Sequence, residues 1–214
     1  MLAASQRQKL DESNDDLFYE APRFVTHVDE QFIDQLTELY QERLTPNSCI
    51  LDLMSSWVSH LPTDMTFGRV EGHGMNAEEL AKNPRLDHYV VQNLNENQTL
   101  PFEDVLNTVS VQYLQHPEAV FAEIYRVLKP GGIAIVSFSN RMFYQKAITA
   151  WREGSEASRL ALVKRYFASV KGFSTPEAIA NQAPASNPLL QLMGVASSDP
   201  FYAVIAERME VLVG

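Results

Sequence analysis

Apolar positions along the chain fall into two alternating periods. Between Asp29 and Leu44, Phe32, Ile33, Leu36, Leu39 and Tyr40 share one helical face, and Thr45-Pro46 ends the helix. Pro117 opens a second helix, in which Val120, Phe121, Ile124, Val127 and Leu128 recur on one side. Lys129 sits at its negative end, Pro130 stops it, and Gly131-Gly132 turn the chain into the apolar run Ile133 to Phe138. Further runs predict strands at Cys49 to Leu53, Phe67 to Glu71, His88 to Gln92, Val105 to Val111 and Phe201 to Ala206. Between them the pattern predicts a short helix near Ser56 to His60, stopped at Pro62. Another runs from a cap at Asn76 to Lys82, with Glu79 at capping-box spacing. Helices are also expected at Met142 to Glu153, at Glu156 to Val170 and, shortly after, from Pro176. Such β-α alternation implies a parallel sheet with helices on both faces, and ligands beyond the carboxyl ends of its strands.

A chain of 214 residues with 45% hydrophobic content can bury one substantial core, so a single α/β unit is expected: residues 1–45 as a leader and lid helix, and 46–214 as the main domain. The net charge of −10 disfavours nucleic-acid partners, because phosphate binding needs clustered Lys and Arg. Acidic residues are dispersed apart from Asp11 to Asp16, and read as a solvated surface. No run of about 18 apolar residues is present to span a bilayer, and the first residues lack the apolar core of a secretory signal. A cytoplasmic protein is therefore expected, with a trimmed transit peptide as the alternative. The single cysteine, Cys49, reads as a buried, inert thiol. No credible metal-ligand cluster and no internal repeat is visible.

The stretch AVFAEIYRVLKPGGIAIVSFS, Ala119 to Ser139, resembles the helix-turn-strand that follows the cofactor cleft in class I S-adenosylmethionine (SAM) dependent methyltransferases, of the type 11 kind. With that anchor, Ile50-Leu51-Asp52-Leu53 resembles the first strand of motif I, Leu100 to Asp104 the approach to strand four, and Asn107 to Leu114 that strand and its exit. The segment DPFYAVIAER resembles the terminal antiparallel strand. The resemblance implies a three-layer Rossmann-like fold with a mainly parallel seven-stranded sheet, an antiparallel C-terminal strand and an N-terminal helical lid. It also implies SAM as cofactor and a small-molecule acceptor, in a monomer or weak homodimer.

Several positions depart from the family pattern. Motif I normally has glycines where Met54-Ser55-Ser56-Trp57-Val58 stands, so Ser55 and Ser56 would hydrogen-bond the cofactor carboxylate or simply cap a helix. Trp57 is expected to fill the space beside that loop. In the segment Gly72-His73-Gly74-Met75-Asn76, Gly74 stands where a carboxylate usually holds the ribose, leaving His73 or Asn76 to substitute, or Glu71 in a displaced register. Asn93, followed by Leu94, replaces the adenine-facing acid, and Ser110 leaves strand four near the cofactor. Glu103-Asp104-Val105 enters strand four abruptly, as after a loop truncation. In the aromatic leader Leu17 to His27, the resemblance makes Tyr19, Arg23 and His27 lid residues and candidates for catalysis. Gln112, Tyr113, Asn140 and Arg141 follow strands four and five and are expected on the acceptor side, where an Arg suits a carboxylate or phosphate or else caps a helix. His60 and His73 lie near the cofactor loops in sequence. The competing reading is a methyltransferase-like binding or regulatory protein that has lost catalysis. A nicotinamide-dependent oxidoreductase would need a glycine fingerprint that is missing.

Overall fold

The computed structural model describes residues 1–102, 106–108, 110–181 and 198–210. Seven strands form one sheet: β1 (Cys49–Asp52), β2 (Arg69–Gly74), β3 (His88–Val91), β4 (Leu106–Thr108), β5 (Ile133–Phe138), β6 (Glu177–Asn181) and β7 (Phe201–Glu207). Their order is β3-β2-β1-β4-β5-β7-β6. Strands β3, β2, β1, β4 and β5 pair in parallel, whereas β7 runs antiparallel to both β5 and β6. The helices are α1 (Ala4–Arg7), α2 (Asp15–Tyr19), α3 (Glu30–Arg43), α4 (Ala77–Ala81), α5 (Pro117–Val127), α6 (Thr149–Arg152) and α7 (Glu156–Ala168). No helix among the described residues is long and apolar enough to cross a membrane.

The period-two pattern of the strands divides the core in two. Ile50, Ile135, Ala203 and Ile205 pack with Phe32, Leu36, Leu39 and Tyr40 of α3 on one face. Their neighbours Leu51, Ala134, Val136 and Val204 pack on the other with Phe121 and Ile124 of α5, Trp151 of α6 and Phe167 of α7. Helix α5 begins at Pro117, as its sequence requires, and Gly131 takes a φ of 77° in the turn to β5.

Four expectations need correction. No helix forms at Ser56 to His60; the chain is irregular from β1 to β2, because serine side chains there bond to Asp52 instead of leaving the backbone to close turns. The helix expected from Pro176 is strand β6, since β7 offers a free edge with which its backbone pairs. Of the helix expected over Met142 to Glu153 only α6 forms. The Phe143 N–H donates to the Tyr113 hydroxyl, that of Ile148 to Gln112 O and that of Thr149 to Gln8 O, so these donors are diverted from helical partners. Finally, the acidic leader is not all solvated surface: Lys9 and Asp15 are buried, and Lys146, fully buried, pairs with Asp11 and Asp15. The strand after Phe67 starts later than its apolar run, at Arg69. The Glu103-Asp104-Val105 junction lies outside the described residues.

Candidate functional site

A cavity of about 840 Å³ opens at the carboxyl ends of β1, β2, β4 and β5, where the strand order reverses between β1 and β4. Asp52, the last residue of β1, lines it. Its Oδ2 accepts the Ser55 hydroxyl at 2.6 Å and the Ser59 hydroxyl as well. Burial pushes the Asp52 carboxyl above its usual range, and the two hydroxyl donors oppose that rise. The amide of Asn83 pins the same loop, donating to Ser56 O (3.0 Å) and the Ser59 hydroxyl (2.9 Å). Met54 enters this loop with a φ of 54°, the left-handed region where the family pattern has glycine.

The missing loop glycines and Gly74 are connected. Ser55 N donates to His73 O at 2.7 Å, which draws the loop onto the end of β2. A Cβ at Gly74 would lie 2.5 Å from Ser55 O, so no side chain fits where the ribose-binding carboxylate was sought. A carboxylate reaches the cavity from Glu79 instead, in the first turn of α4. Its Oε2 accepts the Ser56 hydroxyl at 2.5 Å and its Oε1 accepts Arg23 N at 2.7 Å. The hydroxyl protons of both Ser55 and Ser56 are thus directed at protein carboxylates. Asn76 caps α4 by accepting from Glu78 N and Glu79 N, and its amide donates to Tyr19 O and Glu20 O, each at 2.9 Å.

Those last bonds fasten the leader over the site. Tyr19, Arg23 and His27 all line the cavity, facing Tyr113 and Phe143. The Arg23 guanidinium lies 4.6 Å from the Phe18 ring centre and 5.4 Å from that of Phe143, and donates to Phe18 O. His27 meets Phe143 edge-on at 5.3 Å. Burial lowers the His27 pKa, with Glu79 opposing and Arg23 reinforcing, so the ring is neutral at neutral pH. Burial raises the pKa of Tyr19 and Tyr113. Gln112 and Asn140 line the cavity together with Arg141, whose Nε donates to Asp199 at 2.7 Å; that bond raises the Arg141 pKa. Among the described residues Arg141 caps no helix.

The expected cofactor residues divide. Asp52, Ser55, Ser56, Gly74, Met75, Asn76 and Ser110 line the cavity. Gly72 faces the Leu86 side chain instead. His73, Asn93 and Leu94 border a second space of only about 20 Å³, closed by Lys9, Asp15, Tyr19 and Lys146. Leader acids engage this end of β3: Asn95 Nδ2 donates to Asp15 at 3.0 Å, and Asn93 Nδ2 to Asp16 at 3.4 Å. Glu71, the displaced-register candidate, pairs with Arg69 and His88 rather than entering either space. Trp57 also departs from expectation. Its indole donates to Val25 O (3.2 Å) and packs edge-on against Phe24, while its neighbours Ser56 and Val58 line the cavity. Gly74, not Trp57, accommodates the altered loop.

Sequence reasoning missed Ser59, Asn83, Glu79 and Phe143 as parts of the site. Glu79 carried the one available signal, an acid three residues past a cap, but it was read as a capping-box member. No group of three or more His, Cys, Asp or Glu is placed to hold a metal among the described residues.

Residues 70–136 match the family described as Methyltransferase domain. No curated protein sequence matches the chain. Among solved structures, one chain of the Haloferax volcanii complex between the Trm112 methyltransferase activator and a methyltransferase superposes with a TM-score of 0.60 at 14% identity, covering 85% of this chain and 92% of that one. The [4+2]-cyclase SpnF gives 0.56 at 16% identity, covering 90% and 88%. Haemonchus contortus phosphoethanolamine N-methyltransferase 2, in complex with S-adenosyl-L-methionine, gives 0.53 at 14%, covering 82% of this chain and 53% of that one. At these identities the superpositions establish a methyltransferase-like α/β fold, and the match to the methyltransferase domain family is confined to residues 70–136.

Proposed function

We propose that the cavity binds SAM and that the protein transfers its methyl group to a small-molecule acceptor. The observation that carries this reading is the position of the cavity, at the reversal point of the sheet with Asp52 at the end of β1. The residues fit the cofactor, with altered partners. Asp52 accepts hydrogen bonds from the cofactor's ammonium group. Ser55 and Ser56 contribute lone pairs and backbone rather than hydroxyl protons, since those protons go to Asp52 and Glu79. Glu79 is the cavity carboxylate that serves the ribose near Gly74, Met75 and Asn76. Ser110 and Gln112 stand at the exit of β4, between the cofactor and acceptor sides.

Bound SAM supplies an electrophilic methyl on a sulfonium. Displacement at that methyl depends mostly on positioning, so the protein's main task is to align the acceptor and exclude water. The leader up to His27 acts as the cover: Tyr19 and Arg23 close the cavity against Phe143 and Tyr113. His27, held neutral, takes a proton from an acceptor that must lose one. Arg141 and Asn140 orient the acceptor's polar groups.

The test is calorimetric titration with SAM and S-adenosylhomocysteine, followed by a small-molecule screen for methyl incorporation. Micromolar binding is expected. Asp52→Ala should weaken it by roughly tenfold to a hundredfold, the worth of a charged hydrogen bond, with an unchanged circular dichroism spectrum. Absence of binding at millimolar cofactor would reject the proposal. The second reading, a ligand-binding protein without catalysis, draws on the committed serine protons and on Gly74. It predicts cofactor binding with no methyl incorporated into any acceptor.

A further inference from the structure

The connection from β1 to β2 is irregular, although parallel neighbours are ordinarily joined by a helix that covers the sheet. Helix α3 lies on that face, and the cavity extends into the space between them. Here its walls are Phe32, Leu36 and Tyr40 of α3, Ile50 of β1 and Leu61 of the irregular connection, each no more than 6% exposed. The arm is enclosed and apolar, so water is a poor occupant, and the closed walls leave no access for a folded partner. At its other end the same cavity holds Asp52, Glu79, Arg23 and His27. Its total of about 840 Å³ is near the top of the range for small-molecule sites, roughly 300–1,000 Å³, which leaves room for a second ligand beside a cofactor.

We infer that the arm between α3 and the sheet binds the hydrocarbon part of the methyl acceptor, which is therefore an amphiphile with an aliphatic chain and a polar, methyl-accepting group. The inference rests on the methyltransferase reading for the word acceptor, and on the arm alone for the chain. The aliphatic chain lies against Leu36, Ile50 and Leu61, while the polar group stays by His27, clear of the cofactor's hold on Asp52. Methyl transfer would then form a bond between the acceptor's nucleophilic atom and the methyl carbon as the sulfonium bond breaks. Any acceptor proton leaves to His27.

The probe is a series of straight-chain carboxylates, hexanoate, octanoate and decanoate. Each is titrated below its micelle concentration into the full chain, with and without S-adenosylhomocysteine. Affinity should rise roughly fourfold for each CH₂ buried. Leu36→Trp, which fills the arm, should weaken decanoate at least tenfold while leaving S-adenosylhomocysteine affinity unchanged. Leu61→Phe, outside any helix or strand, serves if Leu36→Trp does not fold. Affinity that is independent of chain length, or a chain-length series that survives arm-filling variants, overturns the inference. A chain-length series that both variants abolish, in a protein that binds no S-adenosylhomocysteine, upholds the hydrocarbon site and refutes the methyltransferase reading instead.

Discussion

His73 should make the fold sensitive to mild acid. The residue is 1% exposed, and among the described residues neither ring nitrogen has a hydrogen-bond partner from a neighbour. Beside it is the space of about 20 Å³, the size of one water, bordered by Lys9, Asp15 and Lys146. Burial lowers its pKa from 6.5 to about 4. The unfolded chain therefore takes up a proton as pH falls through 6.5 while the folded chain does not. Stability is full above that pH and declines towards the folded value. At about 1.36 kcal/mol per pH unit, the loss between about pH 8 and about pH 4.5 comes to about 2.5 kcal/mol. Asp52, raised by burial, acts in the opposite sense, because its folded form takes up the proton first. The difference between wild type and His73→Gln isolates the histidine. Urea unfolding at both pH values should show the wild type losing about 2.5 kcal/mol more than the variant. Parallel losses would refute the placement of a neutral, desolvated His73.

Other substitutions probe the rest of the site. Gly74→Ala puts a methyl 2.5 Å from Ser55 O and should lower stability by about 1–3 kcal/mol while weakening S-adenosylhomocysteine, read by thermal melting and calorimetry; an unperturbed melt would contradict the close approach. Lys146→Met leaves Asp11 without its buried cation and Asp15 with Lys9 alone, so it should cost about 3–5 kcal/mol and open residues 1–20 to protease, which mass spectrometry would detect. His27→Ala should slow turnover of an acceptor that needs deprotonation, and the deficit should shrink as pH rises through the acceptor's own pKa. A deficit constant with pH would make His27 a packing residue.

What was legible in the sequence was local. Helix α5 and its turn into β5 carry a proline start, an apolar face and two glycines, each acting within a few residues. Helix α3 and strand β7 were equally plain. Strand β6 was not, because Glu177–Asn181 has only the short run Ala178-Ile179-Ala180, in which one residue is β-branched, and it is a strand by virtue of the β7 edge. The site was legible where it followed strand ends: Asp52, Ser110, Gln112, Tyr113, Asn140 and Arg141 all line the cavity. It was illegible at Asn93 and Leu94, whose surroundings are set by Asp15 and Asp16, some eighty residues away in the chain.

The departures from the family pattern around β1 have a common origin. Once serines at 55 and 59 direct their hydroxyls at Asp52, and Asn83 holds Ser56 O and Ser59, residues 54–59 are fastened as a loop instead of opening a helix. A fastened loop has no need of glycines for a helix start, but it leans on β2, and the steric demand passes to Gly74. Glycine at 74 carries no carboxylate, and Glu79, already bonded to Ser56, is the acid that joins Asp52 in the cavity. The absent helix also uncovers the α3 face of β1, which creates the apolar arm at Ile50 and Leu36. Restoring glycines to the loop would therefore not recover the family's cofactor site by itself, because Gly74 and the Asp52 network would still hold the loop against β2.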